Sequence, residues 1–350
     1  MAQAIEPLPT QDDGSALTPP TQAELGISSD PEKPQTDNFT PGTTVRVIIN
    51  PVSGKKGGFT TNSSGPDEVR AALAENNIEA EILETQYAGH ATELAQQAVR
   101  DNIDIVIACG GDGTVSEVAK ALINKKKTTL GILPLGSANN VARMTGVPFD
   151  LADAVRTLRT GAIKAIDVGR CNGEYVLETA GVGLDAALFP ILNKVDSGEY
   201  IRIWDAITTI FKFRQRSVTL VLDKRAVRVR ALVVLVANGP YWGYSLPLAP
   251  DARIDDHRFE VVVFRNFSKT DFVRHVFAAL FHRGHIKDSK GQELAYTHHP
   301  KIRTYTARRV QVLTHGRRAP WPVHADALPR GTTPALIELI PNALRVITGS

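Results

Sequence analysis

Cysteine is nearly absent: Cys109 and Cys171 are the only thiols in 350 residues. Two cysteines make neither a disulfide framework nor a self-contained cysteine metal cluster, and a reducing cytosol is the easier home for such a chain. Long apolar runs are missing as well. No stretch approaches the roughly 20 continuous apolar residues of a spanning helix. The opening MAQAIEPLPTQDD lacks the basic start and apolar centre of a secretory signal. The tail that follows is too acidic and too poor in arginine for a mitochondrial or plastid transit peptide. No HExxH is present, and neither an internal repeat nor a coiled-coil heptad stands out.

What remains is a chain with 43% hydrophobic residues, enough for a sizeable core, at a length that suggests about two domains. Its formal charge of +3 hides an asymmetry. Residues 1–42 hold seven acidic residues and one lysine, a net of −6, so residues 43–350 carry +9. That sign suits anionic nucleotides or lipids without choosing between them. The same 42 residues contain seven prolines and few apolar side chains, and read as a disordered tail, with order beginning near Val45.

From Val45 the pattern alternates short β-branched runs with helical ones. Strands are expected at 45–50, 78–85, 103–110 and 129–136, and helices at 66–77, 90–101 and from Thr114 to Asn124. That spacing predicts a parallel sheet covered on both faces, with ligands at the carboxyl ends of its strands. After about residue 165 short apolar runs recur between turns (YVLETAG, SVTLVL, RALVVLVANG, FEVVVFRN, RVQVLTH, ALIELIP), which looks like an antiparallel sandwich or barrel. Two helices interrupt it. Residues 199–213 place Trp204, Ile207, Ile210 and Phe211 at helical spacing. Residues 269–282 place Phe272, Val276 and Leu280 on one side, with Ser268 and Asp271 as a capping box. These stripes read first as core, with a lipid-facing wall as the alternative.

The sharpest signal is Gly110-Gly111-Asp112-Gly113-Thr114, directly after the third strand. Glycines let the backbone turn tightly and approach a phosphate, and Thr114 with Glu117 can cap the helix that follows. The loop is neither a Walker A sequence nor a dinucleotide Gly-x-Gly-x-x-Gly; its alternative is a plain tight turn. Asp112 is the odd member. A carboxylate among phosphate-binding amides is repelled by its ligand unless it holds Mg²⁺ or accepts a proton, both of which belong to phosphoryl transfer; otherwise it caps a turn. Two further loops join it on the same sheet edge. Asn50, Ser53, Gly54 and Lys55 follow the first strand, and Gly136, Ser137, Asn139 and Asn140 follow the fourth.

Together NPVSGKKG, GGDGTVSEVAKAL, LPLGSANNVAR, IDVGR, ETAGVGLDA and NGPYWGYSLPLAPDARIDD resemble the diacylglycerol kinase catalytic family, which includes sphingosine and ceramide kinases and the bacterial YegS/BmrU-like lipid kinases. The resemblance spans about residues 44–349. GGDGT alone is shared with NAD kinases; the whole series is far more specific. It implies a nucleotide-binding α/β domain at 44–164 with a mainly parallel sheet, and a lipid-binding antiparallel β-sandwich at 165–335. A strand at 336–350 would return to the first domain, residues 1–43 would be tail, and the active cleft would lie between the domains. It implies ATP and Mg²⁺ as cofactors and a lipid as phosphoryl acceptor. Asp112 then matches the catalytic or metal-linked carboxylate, and Gly110, Gly111, Gly113, Thr114, Asn50, Ser53 and Gly54 the phosphate loops. Gly136, Ser137, Asn139 and Asn140 match a loop usually read Gly-Thr-x-Asn-Asp, so Asn140 replaces a frequent Asp. Gly181 and Asp185 border the acceptor pocket. Asp255 and Asp256 match a turn linked to Mg²⁺ in some bacterial members, where His257 replaces the usual Gly.

One departure is larger. The family's Asp-Gly-Glu, whose Glu cooperates with the GGDG Asp across the cleft, is here Asp326-Ala327-Leu328. Either catalysis is lost and binding kept, or Asp326 takes over, or Asp112 and metal act alone at a lower rate. The readings that follow are a lipid kinase, a binding protein of the same fold, and an NAD kinase. Elsewhere, Arg202, Lys212, Arg214 and Arg216 beside Trp204 and Phe211 suit transient contact with an anionic membrane. The expected location is therefore the cytoplasm and its membrane face. No nucleic-acid module is evident, and the sequence sets no oligomeric state. Six of nine histidines fall between residues 282 and 324. His282 and His285 lack an obvious third zinc ligand, and His324, beside Asp326, is placed to face the cleft if the sandwich edge opens there.

Overall fold

The computed structural model describes residues 37–56, 59–60, 65–196, 199–243, 246–268, 270–271, 285–287, 293–295, 301–315 and 320–349. Beyond Asp271, the helix expected at 269–282 lies outside them, as do His282, His298, His299 and most of the tail. The Ser268–Asp271 capping box does form: Asp271 N–H donates to Ser268 Oγ and Ser268 N–H to Asp271 Oδ2, each at 3.0 Å.

The chain first lays down β1 (Val45–Ile49), a two-rung hairpin of β2 (Lys55–Lys56) and β3 (Phe59–Thr60), α1 (Pro66–Glu75), β4 (Glu81–Glu84) and α2 (His90–Arg100). It continues with β5 (Ile105–Gly110), α3 (Asp112–Leu122), β6 (Thr129–Pro134), α4 (Asn140–Met144) and α5 (Leu151–Thr160). Strands β4, β1, β5 and β6 pair in that order, all parallel. Every residue of β1, β5 and β6 is buried. They read as unbroken apolar runs because helices cover both faces, α2 packing with α3 and α1 with α5. Since β1 has β4 on one side and β5 on the other, the winding reverses between β1 and β5, and a crevice opens at their carboxyl ends.

The second part contains β7 (Ala162–Cys171), β8 (Glu174–Val176), β9 (Thr179–Gly183), α6 (Leu184–Asp196), a 3-10 turn at Tyr200–Arg202 and α7 (Ile203–Lys212). Then come β10 (Arg216–Leu222), β11 (Arg225–Ala237), β12 (Phe259–Arg265), β13 (His285–Lys287), β14 (Glu293–Ala295), β15 (Ile302–Ala307), β16 (Arg309–Thr314), β17 (Pro322–Ala325), β18 (Leu328–Thr332) and β19 (Ala335–Thr348). The path β18-β17-β9-β11-β10-β16-β19 folds into the expected antiparallel sandwich. In β10 the buried Val218, Leu220 and Leu222 alternate with more exposed neighbours, the pattern of a strand with one wet face. They pack with Val229, Val261, Val310, Val323 and Trp321.

β7 and β19 form an antiparallel ribbon that belongs to both parts. Its register runs from Cys171↔Ile337 to Val168↔Ile340, breaks at Pro341–Ala343, and resumes from Ile166↔Leu344 to Ala162↔Thr348. At one end β19 pairs with β16; at the other Val346 pairs in parallel with Leu130 of β6. Asp167, wholly buried, sits at the break. It accepts hydrogen bonds from Asn342 N–H (2.9 Å), His257 N–H (2.7 Å) and His257 Nδ1 (2.9 Å). His257 holds a left-handed φ of 59°, and the grip of Asp167 on its amide and ring offsets the cost.

Four expectations change. α3 begins at Asp112 rather than Thr114, with Gly111 as N-cap; buried Thr114 turns inward, and Glu117 instead accepts from Gly89 N–H at 3.0 Å. Order starts upstream of Val45. Asn38 is buried and donates to the Leu158 and Gly161 carbonyls, Asp37 pairs with Arg159 at 2.7 Å, and Phe39 packs on the core. The apolar stripe of α7 faces outward: Ile203, Trp204, Ile207 and Phe211 are exposed, with Ile210 partly buried. Finally, α4, α5 and α6 had no counterpart in the periodicity.

Candidate functional site

Three loops meet at the crevice. Asn50, just past β1, accepts from Val52 N–H through Oδ1 (3.1 Å) and donates through Nδ2 to Thr114 Oγ1 (3.3 Å), tying its loop to α3. Ser53 N–H closes the turn on Asn50 O at 3.1 Å, Gly54 is left-handed at φ 77°, and Lys55 starts β2. The loop after β5 runs against the loop after β6: a Cβ on Gly136 would overlap Gly111 Cα, so glycine is required where the two backbones touch. Gly110 binds this junction from behind, its carbonyl accepting Leu135 N–H at 2.9 Å. Gly113 is exposed, with nothing within 4 Å of a Cβ added there, and Ser137 is exposed on the facing loop. Asn139, left-handed at φ 51°, exchanges hydrogen bonds with Gly136 N–H (2.9 Å) and Gly136 O (2.8 Å) and so closes its loop on itself.

Asp112 opens α3, and its Oδ1 accepts Val141 N–H at 3.0 Å from the first turn of α4. Burial pushes its carboxyl above the ordinary range, and the amides of residues 139–141 offset part of that. Asp326 lies in the two-residue turn between β17 and β18. Its carboxylate accepts three consecutive backbone amides: Leu177 (2.8 Å), Glu178 (3.0 Å) and Thr179 (3.1 Å). Burial raises it too, against those amides. Asp326 and Ala327 are both left-handed, at φ 45° and 61°, the conformation of a type I′ hairpin turn. Leu328 is 48% exposed at the start of β18.

Glu178 escaped the sequence reading. It is half-buried in the β8–β9 loop, and its Oε2 accepts Asn140 Nδ2 at 2.7 Å. Its carboxyl is held well above the ordinary range, first by burial and then by the charges of Asp112 and Asp326. The signal available was a lone acid inside the apolar run YVLETAG, an unusual place for an unpaired charge.

Gly181 in β9 and Asp185 in the first turn of α6 lie together with His324. Asp185 Oδ2 and His324 Nε2 are 3.1 Å apart and both residues are buried, so His324 does not open to solvent. A Cβ on Gly181 would overlap both groups. Phe189 packs on His324 with the rings tilted by 54° and their centroids 4.4 Å apart, and Trp242 meets Phe189 edge-on at 5.2 Å. Asp255 and Asp256 do not join the carboxylates: they pair with Arg253 (3.1 Å) and Arg258 (2.9 Å). Among the described residues no three His, Cys, Asp or Glu side chains gather as a metal cage.

Residues 44–171 match the family described as the diacylglycerol kinase catalytic domain, and residues 179–348 the YegS C-terminal NAD kinase beta sandwich-like domain. The two matches together span most of the chain and assign it to the diacylglycerol kinase and YegS-like lipid-kinase superfamily. It is 28% identical over 277 residues to a diacylglycerol kinase of Bacillus subtilis strain 168, covering 77% of this chain and 88% of the relative. It is 27% identical over 273 residues to one of Staphylococcus saprophyticus, covering 76% and 84%. A crystal structure of a diacylglycerol kinase from Bacillus anthracis strain Sterne shares the fold, with a TM-score of 0.66 at 22% identity over 89% of this chain and 98% of that one. A second structure from that organism gives 0.68 at 23% identity over 89% and 99%. The similarity supports a kinase-fold enzyme. The donor set here fits a Mg²⁺ that arrives with phosphates and needs one or two protein carboxylates; it does not fit an all-protein cage. Among the described residues no helix is long and apolar enough to cross a membrane.

Proposed function

We propose that this chain is an ATP-dependent lipid kinase, transferring a γ-phosphoryl group to the hydroxyl of a diacylglycerol, sphingoid or related lipid. The observation that carries this reading is the meeting of three amide-rich loops around one half-buried carboxylate, Asp112, at the switch point of the sheet. The glycine-rich turns at Gly113 and Ser137 suit the phosphates, with Asn50, Ser53 and Gly54 completing the cradle. Asp112 accepts the acceptor hydroxyl's proton as the new O–P bond forms and the bond to ADP breaks; burial makes it a stronger base than an exposed Asp. Asp112 is the side chain that would hold Mg²⁺ alongside the phosphates, and the ion would supply neutralisation of the developing charge. We assign Asp255 and Asp256, engaged by arginines, to the turn that Asp167 holds.

The acceptor side is Gly181, Asp185 and His324. Asp185 Oδ1 and His324 Nδ1 have no hydrogen-bond partner among the described residues, beside the apolar wall of Phe189 and Trp242, an arrangement suited to a hydroxyl on a greasy molecule. The lipid reaches it from a membrane face formed by α7. Ile201, Ile203, Trp204, Ile207 and Phe211 are exposed there, and Lys212, Arg214 and Arg216 line an adjoining hollow of about 440 Å³. Arg202 contributes less, being paired with Glu199 and Asp205.

The exposed Leu328 favours a second reading, a nucleotide- and lipid-binding protein without turnover. Transfer of ³²P from γ-labelled ATP to a panel of membrane lipids and NAD, with Mg²⁺, separates them. A labelled lipid with wild type and none with Asp112→Asn supports the kinase and names its substrate. Labelled NAD would replace it with an NAD kinase, and ATP binding without any labelled product would favour the binding protein.

A further inference from the structure

Two carboxylates that the family places at the cleft are missing: position 140 carries a carboxamide, and position 328 an exposed leucine. A third acid stands where neither motif announces it. Glu178 lies on the β8–β9 loop of the sandwich, and its one side-chain hydrogen bond among the described residues crosses to Asn140 of the α/β part at 2.7 Å. Asn140 Nδ2 also donates to Gly243 O, at 2.8 Å, so it touches the sandwich twice.

The contacts on either side of that bond continue in both directions. Behind Glu178, Asp326 clamps the amides of residues 177–179, which leaves the loop little freedom. Ahead of it, Asn140 is the first residue of α4, and the next amide, Val141 N–H, holds Asp112 Oδ1. A continuous hydrogen-bonded path therefore runs from Asp326 through the 177–179 loop, Glu178, Asn140 and Val141 to Asp112. None of Asp112, Glu178 or Asp326 forms an ion pair with a described lysine or arginine. A half-buried acid without a cation partner is costly to keep, and the side-chain hydrogen bond that offsets this cost is the link to Asn140.

We propose that Glu178 is a positioning residue of the transfer site: through Asn140 it fixes the α4 turn that orients the Asp112 carboxylate, restoring across the cleft the coupling that Leu328 cannot make. This rests on the kinase reading above. Asp326 is then the anchor of the loop, with its lone pairs committed to amides, rather than the group that receives the hydroxyl proton.

The test is a cycle in the full chain. Glu178→Ala removes the link; Glu178→Gln is the isosteric control that still accepts a hydrogen bond; Asn140→Asp with Glu178→Gln inverts the pair, the acid now on α4 and the carboxamide on the loop. With the labelled-lipid assay, Glu178→Ala is expected to lower kcat roughly 10- to 100-fold with KM for ATP little changed, the size of a hydrogen bond to a charged group. Glu178→Gln should lose less, and the inverted pair should be clearly more active than Asn140→Asp alone, in which two acids meet face to face, while staying below wild type because position 140 now turns an oxygen toward Gly243 O. No loss in Glu178→Ala, or a loss that tracks melting temperature and is not rescued by inversion, overturns the proposal. A second readout does not need turnover. In protein labelled with ¹⁵N-valine, the Val141 amide resonance should move in Glu178→Ala and return in the inverted pair. If wild type labels no lipid, the kinase reading fails while this resonance still judges the link; a Val141 amide indifferent to Glu178 refutes it.

Discussion

Asp167 offers the most direct check on the energetics. Replacing it with Ala takes the acceptor from three donors that converge on this wholly buried side chain: the amides of His257 and Asn342 and the His257 ring nitrogen. Each stranded donor costs about 1–3 kcal/mol. Against that, the variant no longer buries a carboxylate whose charged form burial already disfavours, which returns several kcal/mol. The net expectation is a loss of about 3 kcal/mol, which on the scaling for large domains is roughly 6–12 °C in Tm. Asp167→Asn keeps one acceptor oxygen but turns an NH₂ toward a donor, and should fall between Ala and wild type. Urea unfolding followed by far-UV circular dichroism gives both numbers. A loss under about 1 kcal/mol for Ala, or an Asn variant less stable than Ala, would refute the claim that Asp167 holds the ribbon and the 252–257 turn together.

Three further outcomes are expected. Ala327→Gly should stabilise the protein by about 1 kcal/mol, because Ala327 sits at φ 61° where a Cβ is strained, and thermal melts will show it as a raised Tm. Asp271 is held below the ordinary carboxylate range chiefly by Lys301, then by Ser268; its stabilisation is thus complete above the unfolded pKa of about 3.9 and lost as pH falls through the depressed folded value. Asp271→Asn should therefore lower stability at pH 6 and converge with wild type in strong acid, as pH-dependent melts will record. Trp204→Ala with Phe211→Ala should weaken sedimentation with anionic vesicles at least tenfold while leaving Tm within about 2 °C, since both side chains are exposed.

The parts of the fold that were legible are those whose cause is local. β1, β5 and β6 are buried on both faces, so their sequences are apolar throughout, and the Asn- and Gly-rich loops fall at their ends. α5 was announced by Asp150, whose side chain caps Asp153 N–H at 3.0 Å, but ten residues between two loops hid it. α6 was obscured by apolar residues on all sides and by Pro190 inside the helix. Glu178 was out of reach for a different reason. Its partners Asn140 and Asp326 stand 38 and 148 residues away, and only closure of the sheet brings them to it. The outward stripe of α7 shows the complementary limit: periodicity reveals a sticky face without saying whether the chain itself covers it.

The β7–β19 ribbon also bears on how the protein can be made. During synthesis β19 emerges after every other described strand, so β6 leaves the ribosome with one apolar edge, TLGILP, unpaired on the side that Val346 will occupy. The α/β half is then an unfinished sheet rather than a module awaiting a neighbour. A cut between residues 164 and 165 would sever β7 itself. Fragments made that way should aggregate when expressed separately and recover solubility only when co-expressed, whereas a circular permutant that keeps both ribbon strands whole should fold.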